Sequence, residues 1–230
     1  MEQTLSEIIR RADALYMERE RIENIRASVE LLESAAAMAA DDFETMWRSG
    51  RAHFFLGQEA ETKTAAREFH ARGASVCERA TRRAPARVEG HFWLGVNLAL
   101  QAQTVNALTA IRLAWRARRS LERAVRIDPA YHDAGPLRVL ARLKHKLPRL
   151  LGGGRARARA DFIRAIELAP SNTVTRLYFA ELLLETGDVA SAESELKTIL
   201  ESTLHPDWKF ETARDRRLAQ EVLERIGSSQ

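Results

Sequence analysis

The sequence predicts an all-α chain, and three observations carry that prediction. Of 230 residues, alanine supplies 37 and leucine 27, whereas valine and isoleucine supply only 10 each. Helices favour the first pair, and strands favour β-branched side chains. Glycine and proline number 11 and 6, too few to turn a chain of many short strands. Finally, one proline-terminated segment recurs three times with the same internal phasing. An all-β protein is excluded, and an α/β enzyme fits poorly.

The recurring segments are residues 73–85, 117–129 and 158–170. Twelve residues before each proline stands a small residue (Gly73, Ala117, Ala158), and eight before it an apolar one (Cys77, Leu121, Phe162). Six before is Arg79, Arg123 or Arg164, and five before is Ala80, Ala124 or Ala165. The small and apolar positions share one helical face. Proline then ends the helix, because it has no N–H and clashes with the preceding turn.

The remaining elements follow in order. Leu5, Ile8, Ile9, Ala12, Leu15 and Tyr16 make one apolar stripe, and Ile22, Ile25, Val29, Leu32, Ala35 and Ala36 a second. A helix through Met46-Trp47-Arg48-Ser49-Gly50-Arg51-Ala52-His53-Phe54 precedes the first proline segment. A helix through Glu89-Gly90-His91-Phe92-Trp93-Leu94-Gly95 precedes the second, and residues 133–147 precede the third. From residue 173 a further pair runs without a gap. Arg176, Phe179, Ala180 and Leu183 lie on its first helix, Gly187-Asp188 at the turn, and Ala192 and Leu196 on its second. After His205-Pro206-Asp207-Trp208 a last helix reaches Ile226. It is expected to turn Ala213, Leu218, Val222, Leu223 and Ile226 inward and Arg214, Asp215, Arg216 and Arg217 outward. About eleven helices result.

This phasing resembles the tetratricopeptide repeat, whose unit is a helix–turn–helix of about 34 residues ending near a proline. The resemblance implies an α-solenoid of units 5–42, 43–86, 87–130, 131–171 and 172–204 in a single domain, 1–230. Helix 207–227 would cap its core. The prolines stand 44 and 41 residues apart, so the middle units are longer than the family's. The long units, the His91–Gly95 motif, the Leu147-Pro148 turn with its glycines and the His205-Pro206-Asp207 motif are similar to one subgroup. It is that of the bacterial T component associated with TRAP-type transporters, a scaffold joined to a periplasmic solute-binding partner. Eukaryotic regulators of microtubule dynamics are similar in outline. Members with the transporter role look like exported lipoproteins. No cysteine stands near the start of this sequence, which favours a scaffold over the transporter role.

Little points to chemistry. The histidines at 53, 70, 91, 132, 145 and 205 include no pair at i, i+4, so no metal or other cofactor is expected. The lone Cys77 occupies an apolar repeat position and reads as a small buried hydrophobe. Leu151-Gly152-Gly153-Gly154-Arg155-Ala156 lacks the Gly-Lys-Ser/Thr ending of a phosphate loop and reads as a turn, though its amides could attract an anion weakly. The aromatic residues, Trp115 among them, read mostly as packing. No catalytic residue is expected, and the chain is not read as an enzyme.

Charge is the main clue to partners. The net charge is +4, yet residues 101–160 hold 14 basic and 3 acidic side chains, between acidic ends. From Asp133 to Asp161 no acid intervenes. Leu137, Leu140, Leu143 and Leu147 can face the core, which would turn Arg138, Arg142, His145 and Arg149 outward. Together with Arg155, Arg157 and Arg159, these form the expected partner-binding surface. Charge reversal at Arg138 and Arg142 would then leave stability unchanged or raised. The leading reading is a scaffold clasping another protein, as an extended peptide or helix, in the concave face of the repeats, an acidic partner being the natural complement. The alternative is polyanion or nucleic-acid binding through the basic middle. No signal core or apolar run of about 18 residues exists, so a cytoplasmic location without membrane insertion is expected.

Overall fold

In the computed structural model, which describes residues 4–203 and 206–228, the described residues form eleven α-helices and no strand. The helices are α1 (Leu5–Met17), α2 (Ile22–Met38), α3 (Phe43–Gln58), α4 (Lys63–Arg83), α5 (Val88–Gln101), α6 (Ala107–Ile127), α7 (Tyr131–Lys146), α8 (Arg155–Leu168), α9 (Thr173–Glu185), α10 (Val189–Glu201) and α11 (Lys209–Gly227). They divide into two compact units between Asp128 and Pro129. His205, first residue of the motif before the last helix, lies outside the described residues.

Helix starts follow from side chains that satisfy the otherwise unpaired N-terminal amides. Thr4 and Glu7 form a reciprocal capping box on α1. Asp42, Thr62, Asn106, Asn172 and Asp188 each accept an amide hydrogen bond at the start of α3, α4, α6, α9 and α10. Helix ends follow from the prolines: α4, α6 and α8 stop at Arg83, Ile127 and Leu168, each two residues before one.

The first unit buries α3, α4, α5 and α6 against one another in sequence order. Cys77, Ala80, Ala117, Leu121 and Ala124 are fully buried, while Arg79 and Arg123 are exposed. Small residues let the backbones close up. A methyl group on Gly95 of α5 would stand 2.6 Å from Leu121 Cγ of α6, so this helix crossing requires glycine.

In the second unit, Ala158, Phe162 and Ala165 repeat the same phasing on α8. They share a core with Ala141 of α7, Phe179, Leu182 and Leu183 of α9 and Leu196 and Ile199 of α10. The α7 span begins irregularly. His132, Asp133 and Ala134 all have positive φ, at 53°, 51° and 57°, which costs a non-glycine residue about 1–3 kcal/mol. Regular helix starts at Gly135-Pro136, where proline's missing N–H costs nothing. Two neighbours hold the strained turn. Arg138 Nη1 donates to the Asp133 carbonyl at 2.9 Å, and the Trp208 ring packs edge-on against His132 at 4.7 Å.

The terminal helix α11 differs from expectation at two residues. Val222, Leu223 and Ile226 pack on the core, but Ala213 is exposed and Asp215 is fully buried. Asp215 can be buried because Arg214 binds it at 2.7 Å and the Thr173 hydroxyl donates to it at 2.8 Å. Burial still pushes its carboxyl above the usual aspartate value, against Arg214 and Thr173.

Candidate functional site

The basic run on α7 and α8 is answered by acids from later in the chain. Arg142 Nη1 meets Glu181 of α9 at 2.5 Å. Lys146 bridges Glu181 at 2.5 Å and Glu185 at 2.7 Å. His145 Nε2 lies 2.7 Å from Glu185, Lys144 pairs with Asp161 at 2.5 Å, and Arg159 pairs with Asp188 at 3.2 Å. The segment that lacks acids in sequence is interleaved with them in space.

Arg138 and His145 do not point outward. Arg138 is 4% exposed and the His145 side chain is fully covered. The irregular start of α7 sets the reason. Arg138 turns back beneath the strained turn, where Nη1 also reaches Asn172 Oδ1 at 3.3 Å and the guanidinium lies 5.2 Å from the Trp208 ring. Burial lowers its proton affinity, opposed by Asp133 and Asp215. The other expected residues reach solvent to different degrees. Arg142 is half-buried and lies 4.5 Å from the Tyr178 ring. Arg149, Arg155, Arg157 and Arg159 are exposed, Arg157 donating to the Gly153 carbonyl at 2.7 Å.

The electrostatics of the α7–α9 ladder are mutual. Hydrogen bonds from Lys146 and His145 hold the Glu185 carboxyl down at about 2. Burial alone would raise Glu181, but hydrogen bonds from Lys146 and Arg142 reverse that and place it below its usual value. Burial would lower Lys146, and its bonds to both glutamates raise it instead. Sequence reading gave Glu181, Glu185, Asn172 and Trp208 no part in this site and set Asp215 outward. For the two glutamates the signal was an acid-rich stretch about one repeat downstream.

Two smaller expectations also change. The glycine amides are not available to an anion: Gly152, Gly153 and Gly154 donate to the carbonyls of Arg149, Pro148 and Lys144 at 3.0, 3.0 and 2.9 Å. Gly153 is required there, since a methyl group would stand 1.7 Å from the Leu147 carbonyl oxygen. Trp115 is not packing: it is 50% exposed on α6. Cys77 is buried as expected, and burial pushes its thiol up. Among the described residues no group of three His, Cys, Asp or Glu side chains could hold a metal ion, and no helix is long and apolar enough to cross a membrane.

Helix pairs with buried alanines at their crossings and proline stops define a tetratricopeptide-type repeat protein, an all-α fold of the α-solenoid class. Residues 154–209 match the tetratricopeptide repeat family. A thermophilic TPR protein of Thermus thermophilus is similar with a TM-score of 0.68 at 20% identity, over 92% of this chain and 98% of that chain. An O-GlcNAc transferase variant from Thermobaculum terrenum is similar with a TM-score of 0.50 at 19% identity, over 73% of this chain and 27% of that chain. These likenesses concern the fold alone. Residues 8–137, more than half of the chain, match the family described as Regulator of microtubule dynamics protein 1-3, and the chain belongs to that family. No curated protein matches it.

Proposed function

We propose that the chain is a non-catalytic scaffold that binds another protein along the first helices of its repeats. The observation that supports this most is the α7–α9 ladder. Arg142, Lys146, Glu181, Glu185 and Tyr178 stand side by side, each partly open to solvent. Such a row offers both signs of charge and a ring to an extended peptide or a helix, which is how stacked helix pairs commonly recognise partners. The exposed Arg149, Arg155, Arg157 and Arg159 extend it toward an acidic segment. The proposed setting is the cytoplasm, and the family's description suggests a partner linked to microtubule dynamics. A transporter-associated scaffold would be a special case, recognised by co-purification with a solute-binding protein.

The experiment is selection of a displayed peptide library on the immobilised full chain, with Tyr178→Ala and Arg149→Glu as counter-tests. The expected result is a consensus carrying acidic residues whose binding drops at least about tenfold in both variants. Failure to enrich any consensus, or equal binding by the variants, would contradict the reading.

A further inference from the structure

The second arginine-rich helix meets a different fate. α6 carries Arg112, Arg116, Arg118, Arg119, Arg123 and Arg126 and a single acid, Glu122. That acid is bound by Arg118 at 2.7 Å. Arg116 reaches across to Glu78 of α4 at 2.8 Å. Arg112, Arg119, Arg123 and Arg126 are exposed, and among the described residues no acid pairs with them. Arg82 and Arg83, in the last turn of α4, are exposed as well.

The geometry arranges these groups in one line. Leu108, Arg112, Trp115, Arg119, Arg123 and Arg126 follow at intervals of 4, 3, 4, 4 and 3 residues, one stripe on the side of α6 opposite Leu113, Ala117, Leu121 and Ala124. Steps of three or four residues separate the side chains by about 4.5–6 Å along the axis. Trp115 stands within that row with Arg112, Arg116 and Arg119 around it. A half-exposed indole beside the unpaired Arg112 and Arg119 has no packing explanation.

We propose that this face of α6 binds single-stranded nucleic acid, the arginines holding phosphates and the Trp115 ring stacking on a base. A duplex hides its base faces, so the indole would have nothing to stack on. A lipid surface needs a broad apolar face. Here only Leu108 (77% exposed) and Trp115 are large exposed apolar side chains on the helix, about 10 Å apart along its axis. A peptide made only of acidic side chains would pair with the arginines but offers no flat face for the Trp115 ring. This site is separate from the α7–α9 ladder, so either can fail without the other.

The test is fluorescence anisotropy of a labelled poly-thymidine strand of about 15 nucleotides with the full chain. Four free arginines predict that log K falls against log salt with a slope of about −3. Trp115→Ala should weaken binding about tenfold while Trp115→Phe keeps most of it. Arg119→Glu with Arg123→Glu should weaken it more and flatten the slope to about −1.5. Thermal melts of each variant should match the parent, since these side chains are exposed. Undiminished binding by Trp115→Ala would overturn the proposal, leaving a charged patch without base recognition. So would tighter binding to poly-glutamate, which would indicate an acidic protein. Binding to phosphatidylserine vesicles without binding to the strand would overturn it in favour of a membrane.

Discussion

α6 and α7 look alike in sequence, each a helix rich in arginine or lysine and nearly free of acids. In space they part. On α7, Arg138 is buried under a strained turn, and Arg142, Lys144, His145 and Lys146 all meet carboxylates on α8 or α9. On α6, Arg112, Arg119, Arg123 and Arg126 face solvent on the same stripe as an exposed tryptophan, and among the described residues no acid pairs with them. Like charges so placed repel one another and lower stability, a cost that a purely structural surface avoids by interspersing acids. The comparison teaches that local charge density in sequence does not say which cations are left unpaired. For α7 the answer lies in the acids of α8 and α9 in the same unit.

Adjacent residues on α6 give the sharpest way to break this account. Ala124→Glu puts volume and a charge into a fully buried helix crossing, so it should cost about 3 kcal/mol or more. Arg123→Glu, one residue away and exposed, should change stability by less than about 0.5 kcal/mol. Ala80→Glu and Ala165→Glu, at the equivalent positions, should behave like Ala124→Glu. Urea unfolding of the four variants checks all of this. Equal midpoints for Ala124→Glu and Arg123→Glu would mean that the helix is rotated from the orientation described.

The next effect concerns Arg138. Removing it as Arg138→Met should cost about 2 kcal/mol, because the Asp133 carbonyl and Asn172 lose a buried donor and the left-handed turn loses its brace. The double reversal at Arg138 and Arg142 should therefore lower the melting temperature. From the sequence alone the same change was expected to leave stability unchanged or raised. Burial reverses the sign.

A smaller, pH-dependent effect follows from Glu185. Its carboxyl lies at about 2 in the fold against an ordinary value of 4.5. A depressed carboxylate contributes stability that is complete above about pH 4.5 and is lost as pH falls toward 2. Glu185→Gln should remove its share of that acid limb while changing little near pH 7 beyond the loss of the Lys146 and His145 contacts. Denaturation midpoints measured from pH 2 to pH 7 in both proteins would show the limb flatten. An unchanged limb would mean that the ladder does not persist in solution.

Helix number, helix ends and packing phase were legible because their causes are local. Pro85, Pro129 and Pro170 stop the chain where they stand, and Ala80, Ala124 and Ala165 mark the crossings whatever surrounds them. The orientation of Trp115 was also within reach. The buried positions 113, 114, 117, 121 and 124 leave residue 115 on the far side of the wheel, but aromatic character was taken for packing. The left-handed turn at 132–134 was not legible, because none of His132, Asp133 or Ala134 is glycine. Trp208 and Arg138 hold it from elsewhere in the unit. Nor was the pairing of the α7 charges, whose partners Glu181 and Glu185 lie 35–40 residues away in sequence.

The contrast between the two helices is tested most directly by paired charge reversals followed by thermal melting. Arg142→Glu with Lys146→Glu turns ion pairs into repulsions against Glu181 and Glu185, and should lower the melting temperature by roughly 2–5 °C. Arg119→Glu with Arg123→Glu relieves repulsion on α6 and should leave the melting temperature unchanged or slightly raised. Equal falls in both double variants, or a larger fall on α6, would contradict the claim that the α7 charges are paired with carboxylates of the fold whereas those of Arg119 and Arg123 on α6 are not.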